Sequence, residues 1–120
     1  MKTPLTPDGL AQFIGTEQRY RHAVNRDMVF TDGAKYVADG GAAYWLLDEI
    51  ALIQPCNKRV SAETFQVWKL KVNADCTGQL VCEDGNGNIV YTRIIPFTDF
   101  PGDGITLWFA DGTILLPSEY

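Results

Sequence analysis

The feature that most constrains the fold is a period-two alternation of apolar and polar residues that begins at Thr64. Gln66, Trp68 and Leu70 share one face of a predicted strand, and Lys69 points to the other face. Short segments rich in Asp, Asn and Gly divide the following residues into four further apolar runs. The five predicted strands cover residues 64–72, 79–83, 89–97, 105–110 and 113–116. Because tight turns join them, we expect an antiparallel meander.

The first forty residues are expected to hold a short helix and a β-hairpin. Thr-Pro-Asp at residues 6–8 is typical of a helix start, and Gly15 can end that helix. An Asp-Gly pair at residues 32–33 lies between two apolar runs, at 28–31 and 35–38. Such a pair favours a type I′ hairpin turn, although Ala34 can lengthen the loop and so leaves the register open.

A strongly apolar helix should follow this hairpin. Asp39 is expected to cap it, and the helix should run from about residue 41 to residue 54, where Pro55 ends it. Its surface is apolar almost all round, so the sheet or another subunit must cover it. The predicted fold class is therefore α+β. It consists of a short N-terminal helix, a β-hairpin, one buried helix and a five-stranded curved sheet or half-barrel, all within one domain of residues 1–120.

Charge is distributed unevenly along the chain. The formal net charge is −5, which argues against a surface that is basic throughout and against broad binding of nucleic acid. Residues 1–71 contain nine Lys and Arg against eight Asp and Glu, whereas residues 72–120 contain one against seven. The acidity therefore belongs to the second half, and that half is itself a candidate interaction surface.

Several features predict a cytoplasmic protein. The first residues contain no apolar leader, and the longest apolar run, at residues 42–53, is interrupted by two acids and is too short for a membrane span. The three cysteines form no C-x-x-C pair and leave an odd thiol in any disulfide scheme. We therefore expect a reducing compartment and no membrane partner.

His22 is the only histidine and the only candidate general acid or base of the imidazole type. Its alternative interpretation is a structural histidine. A single imidazole does not make a histidine-based metal cluster, and the segment at residues 84–88 lacks the later residues of a calcium loop. We expect neither a metal site nor a cofactor.

A basic and aromatic segment surrounds His22. Guanidinium groups suit phosphate, and arginine interleaved with aromatic residues is typical of nucleotide recognition, but a half-buried edge strand has the same pattern. The predicted ligand-binding residues are Arg19, Tyr20, Arg21, His22, Asp32, Lys35 and Tyr36. A small anionic ligand such as a nucleotide requires several of them to converge on one pocket. If they are dispersed, protein–protein interaction is favoured.

The apolar helix provides a second candidate surface. Asp48 and Glu49 are its only acids and should mark its solvent-exposed edge, beside Tyr44 and Trp45. These four residues are the predicted interface residues. A homodimer joined through residues 44–53 is one use of such a surface.

Several segments along the chain resemble a family of small uncharacterised bacterial proteins found on genomes, plasmids and phages. They are TEQRYRH at 16–22, TDGAKY at 31–36, AYWLLDEI at 43–50, EDGNGN at 83–88, TLWF at 106–109 and LPSEY at 116–120. The resemblance implies no activity, cofactor or catalytic residue. A setting on mobile elements implies a small accessory or counter-defence protein that acts by binding.

Three hypotheses follow. The first is a non-enzymatic binding protein that blocks a host protein or sequesters a nucleotide-like ligand. The second is a small hydrolase or phosphodiesterase in which His22 is the acid or base and Arg21 or Lys35 stabilises developing charge. The third is a structural homodimer module.

Overall fold

The computed structural model describes residues 19–119, and the predicted helix at residues 6–15 lies outside them. Seven strands form one sheet, and helices lie between the second and third strands. The strands are β1 (Arg19–Arg21), β2 (Val29–Thr31), β3 (Phe65–Val72), β4 (Gly78–Asp84), β5 (Ile89–Ile95), β6 (Gly104–Ala110) and β7 (Thr113–Leu115). The helices are α1 (Asp32–Gly40), α2 (Tyr44–Ile53) and α3 (Lys58–Ser61), and Pro117–Glu119 forms a 3-10 turn.

The sheet is open and its order is β1-β2-β7-β6-β3-β4-β5. The five strands predicted after residue 64 are all present, but they do not form a simple meander. After β5 the chain crosses to the other side of β3, where β6 pairs antiparallel with it. The short β7 then pairs antiparallel with β6 and parallel with β2. β3 therefore lies at the centre of the sheet, and β1 and β5 lie at its edges.

The predicted hairpin around Asp32 and Gly33 is wrong, because these residues begin α1. Thr31 is the N-cap of this helix, and its hydroxyl accepts a hydrogen bond from the backbone N–H of Ala34. Glycine at position 33 allows the carboxylate of Glu119 to approach the backbone closely, since a methyl group there would overlap that carboxylate. It does not serve a hairpin turn. The Asp-Gly pair of the β6–β7 hairpin does form the predicted turn, and Asp111 and Gly112 have φ values of 51° and 75°.

The predicted boundaries of the apolar helix also change. Asp39 does not cap it, because it lies in the last turn of α1, and Gly41 caps the end of that helix. Helix α2 begins only at Tyr44 and ends one residue before Gln54, close to the predicted stop. Strand β2 coincides with the first strand of the predicted hairpin, whereas residues 35–38, predicted as its second strand, belong to α1. The short helix α3 has no counterpart in the sequence prediction.

The core lies between α1, α2 and one face of the sheet. Leu46, Leu47 and Ile50 of α2 are buried there, whereas Tyr44 and Leu52 are exposed. The strand residues of this core share the face predicted from the alternation; they include Trp68, Leu70, Leu80, Cys82, Leu107 and Ile114. The polar residue Gln66 lies among them. Its side chain is fully buried and forms hydrogen bonds with Gln54, Val60 and Trp68. None of the helices in the described part of the chain is long and apolar enough to cross a membrane.

Candidate docking surface at α2 and β5

His22 is buried and both of its ring nitrogens are engaged. Nδ1 accepts hydrogen bonds from the backbone N–H groups of Val24 and Asn25, at 3.2 and 2.9 Å. Nδ1 is therefore the unprotonated nitrogen, and Nε2 donates to Asp48 Oδ1 at 2.8 Å. Through these hydrogen bonds the imidazole connects the loop after β1 to the exposed side of α2. The hydrogen-bonding pattern is that of a structural histidine.

Tyr20 and Lys35 meet above α1. The Tyr20 ring stacks on Phe30 with a centroid separation of 5.6 Å, and Lys35 Nζ lies 5.6 Å from the Tyr20 ring centroid. Lys35 also donates to Asp39 at 2.7 Å, and the Tyr44 hydroxyl donates to the other oxygen of Asp39. These hydrogen bonds, from Lys35 first and Tyr44 second, lower the pKa of the Asp39 carboxyl.

Arg19 and Arg21 flank Tyr20 on β1, but their side chains have other surroundings. Arg19 lines a cavity of about 350 Å³ together with Thr31, Asp111 and Glu119. Arg21 donates to the backbone carbonyl of Arg26. Asp32 and Tyr36, both half-buried, belong to α1. Of the predicted ligand-binding residues, the structure thus brings Tyr20 and Lys35 into contact, whereas Arg19 lines this cavity and the guanidinium of Arg21 is hydrogen-bonded to the loop after β1.

A different surface is formed by the outward side of α2. Trp45, Asp48, Glu49 and Leu52 recur at the spacing of one helix face and line two adjoining cavities. The cavity of about 320 Å³ continues along α2 to Cys56. The cavity of about 410 Å³ lies between α2 and the end of β5, and its remaining lining residues are Arg93, Ile95, Pro96, Phe97, Thr98 and Asp99. We call these two cavities together the α2–β5 groove.

Glu49 joins the two walls of the α2–β5 groove. Its carboxylate accepts a hydrogen bond from the Tyr91 hydroxyl at 2.9 Å and forms an ion pair with Arg93. Only 16% of the Glu49 side chain is exposed. Burial first, and the neighbouring Glu49 carboxylate second, raise the pKa of the Tyr91 hydroxyl. Because both partners of Glu49 come from β5, the helix and the strand are fixed to each other at this point.

Large apolar side chains stand exposed around the groove. Phe97 is 69% exposed and Leu52 is 42% exposed. Exposed apolar residues are ordinary when they are scattered, but a group of them beside a cavity marks an interaction surface. Trp45 lies in both cavities and supplies the largest ring of the lining.

The groove also carries a net negative charge. Its lining includes Asp48, Glu49 and Asp99 against Arg93 alone. The Asp48 side chain is 57% exposed although one oxygen binds His22. Since Glu49 and Arg93 neutralise each other, Asp48 and Asp99 supply the charge that a bound molecule would meet.

Three of the four predicted interface residues, Trp45, Asp48 and Glu49, line the groove. Tyr44 lies next to it and bonds to Asp39 instead. Sequence reasoning missed Leu52, Arg93 and Phe97. The spacing of positions 45, 48, 49 and 52 was a readable signal for Leu52. No local pattern places Arg93 beside α2, since that contact depends on the order of the strands.

Residues 19–119 contain no group of three His, Cys, Asp or Glu side chains that could hold a metal ion. All three cysteines are free thiols, and Cys56 and Cys76 are exposed. The chain matches no curated protein and no solved structure. A family model of unknown function matches residues 5–120, which is nearly the whole chain. The chain therefore belongs to the family of unknown function DUF6876.

Proposed function

We propose that this protein is a non-enzymatic binding protein that holds a segment of another protein in the α2–β5 groove. The observation that carries the proposal is the groove itself, in which one face of α2 and the end of β5 combine three apolar side chains with a net negative charge. The apolar side chains are Trp45, exposed Leu52 and exposed Phe97. Apolar anchors within a charged surround are the usual composition of a protein-binding surface.

The nucleotide-binding version of the first hypothesis and the hydrolase hypothesis have weaker support. A nucleotide site would direct Arg19, Arg21 and Lys35 to one ligand, whereas Arg19 lines a cavity, Arg21 donates to the Arg26 carbonyl and Lys35 donates to Asp39. A hydrolase based on His22 would leave a ring nitrogen for a substrate, and both nitrogens are hydrogen-bonded within the protein. We further propose, from the resemblance and from the three free thiols, that the partner is a bacterial host protein met in the cytoplasm, and that plasmids and phages carry such a protein.

A random 12-residue peptide library displayed on phage tests this function. Peptides selected on the wild-type protein should lose at least tenfold in affinity on Leu52→Ser and on Phe97→Ser. Both side chains are exposed, so these variants should keep the wild-type circular dichroism and urea midpoint. The matched control is Val24→Ser, which removes an exposed apolar side chain from the loop after β1 and should leave affinity unchanged.

Two results would contradict the proposal. One is a selection that enriches no peptide. The other is a set of selected peptides that bind Leu52→Ser and Phe97→Ser as tightly as they bind the wild-type protein.

A further inference from the structure

We propose that the partner segment binds in extended form, as an added strand along the edge of β5 that faces away from β4. This inference rests on the proposed function and specifies its binding mode. It also specifies the chemistry of the segment: on the side that faces α2, one large apolar residue alternates with Lys or Arg.

The first support is the position of β5 in the sheet. Among residues 19–119 it is an edge strand of seven residues, and the strand with which it pairs is β4. In an antiparallel pair, alternate residues direct their N–H and C=O groups away from the partner strand, so an edge of this length presents a row of donors and acceptors. Helix α3 reaches only the start of this edge, where Arg59 donates to the Ile89 carbonyl at 3.2 Å.

The second support is the helix beside that edge. Tyr91 pairs with Cys82, and Cys82 with Trp68, so all three lie on the helix-facing side of the sheet. Arg93 and Ile95 continue the same side of β5. An added strand would extend this side by one more row, with alternate side chains directed toward Trp45 and Leu52 of α2. A sheet edge next to a helix is the geometry in which proteins bind extended peptides by strand addition.

The third support is charge. Within residues 19–119 no Lys or Arg forms an ion pair with Asp48 or Asp99, and both line the groove, so a Lys or Arg of the added strand would meet a carboxylate. A second copy of this chain fits less well. Asp48 and Glu49 occupy the middle of α2, and a two-fold pairing of α2 with its copy would bring these acids face to face.

The test uses the tightest peptide from the phage library, synthesised with one N-methylated amide at a time. Strand addition predicts a period of two. Methylation of alternate amides should lower affinity at least tenfold, and methylation of the amides between them should have little effect. In the protein, hydrogen exchange followed by NMR should slow at alternate backbone amides of β5 when the unmethylated peptide binds.

Charge variants provide the second readout. Asp48→Asn keeps an acceptor for His22 and should weaken binding three- to tenfold, as should Asp99→Asn. The control is Asp103→Asn, which removes an equal charge from an exposed loop outside the groove and should have no effect.

Several outcomes would overturn the inference while the proposed function stands. They are a methylation profile without alternation, a peptide that becomes helical on binding, and unchanged exchange in β5. Sedimentation that shows a dimer at micromolar concentration, with slow β5 amides in the absence of peptide, would assign the edge to a second copy and would also overturn it. Failure of the library to yield a groove-dependent peptide would instead reject the proposed function.

Discussion

The hydroxyl of Thr31 donates a hydrogen bond of 2.6 Å to Glu119 Oε1, across 88 positions of the chain. The same carboxylate accepts from the backbone N–H of Gly33 at 3.1 Å and from that of Leu116 at 2.9 Å. A carboxylate at a helix start satisfies free N–H groups and opposes the helix dipole. The 3-10 turn at Pro117–Glu119 therefore caps the N-terminus of α1.

Replacement of Glu119 by Ala should cost about 2–3 kcal/mol of unfolding free energy, because the buried N–H of Gly33 and the hydroxyl of Thr31 lose their acceptor. Glu119→Gln keeps one acceptor oxygen and should cost less. Urea denaturation measures both. Ser118→Ala, at an exposed position of the same turn, is the control and should stay within about 0.5 kcal/mol of wild type. A wild-type midpoint for Glu119→Ala would refute the capping role.

His22→Ala should destabilise the protein by about 1–3 kcal/mol, because the N–H groups of Val24 and Asn25 lose their acceptor. His22→Asn should recover part of this loss, since the Asn oxygen can take the place of Nδ1, although the bond to Asp48 is lost. Asp48→Asn should have a smaller effect than His22→Ala. Thermal denaturation of the three variants checks this order. Equal stability of His22→Ala and wild type would show that the imidazole has no structural role.

Gln66 should be among the least replaceable polar residues. The amide group of its side chain forms hydrogen bonds with the side chain of Gln54, with the indole N–H of Trp68 and with the backbone carbonyl of Val60. Gln66→Ala leaves these groups unsatisfied and opens a cavity, so we expect a loss of at least about 2 kcal/mol in urea denaturation. Gln79→Ala, on the exposed side of β4, serves as the matched control and should be nearly neutral. A loss in Gln66→Ala no larger than that of the control would contradict the argument.

The Cys82 thiol should resist both chemical modification and ionisation. Burial, and then the nearby carboxylates led by Glu63, raise its pKa to about 12. An aromatic disulfide reagent at pH 8 should therefore modify two thiols of the folded protein, Cys56 and Cys76, and a third only after unfolding. Rapid modification of three thiols in the folded protein would show that Cys82 is accessible.

The same pKa predicts a loss of stability in alkali. Below the ordinary thiol pKa the group is protonated in both states, so it adds no pH dependence. Above that pKa and up to about 12 only the unfolded chain ionises, so unfolding releases a proton and stability falls as pH rises. The decline is at most about 1.4 kcal/mol per pH unit. Cys82→Ala removes this contribution, so the stability difference between wild type and Cys82→Ala should change between pH 8 and pH 10.5. A constant difference would contradict the raised pKa.

Much of the fold could be predicted from local patterns. The alternation at Gln66, Trp68 and Leu70 identified β3 and its buried face, and the turn residues separated the later strands. The two Asp-Gly pairs show the limit of local reasoning. Asp111 and Gly112 form the expected turn, whereas Asp32 and Gly33 start a helix, because Thr31 caps it and Glu119 approaches Gly33 from the far end of the chain. No window of sequence around Gly33 contains that contact.

The candidate groove was likewise only partly predictable from local patterns. Trp45, Asp48 and Glu49 share an exposed face of one helix, and their spacing indicates a surface. Arg93 and Phe97 join them only because β5 lies at the edge beside α2. That position follows from the crossing of the chain between β5 and β6, which no local pattern shows.

The parallel pairing of β2 with β7 has a consequence for the folding of this protein during its synthesis on the ribosome. Val29 pairs with Thr113, so the β1–β2 pair cannot join the rest of the sheet until almost all of the described chain has been synthesised. The strands from β3 to β6 can assemble earlier, since their pairings span shorter stretches. Translation that stops before residue 113 would thus yield a four-stranded sheet in the order β6-β3-β4-β5. The β1–β2 pair would be separate from it, and the β6 edge would be open to pairing with other chains.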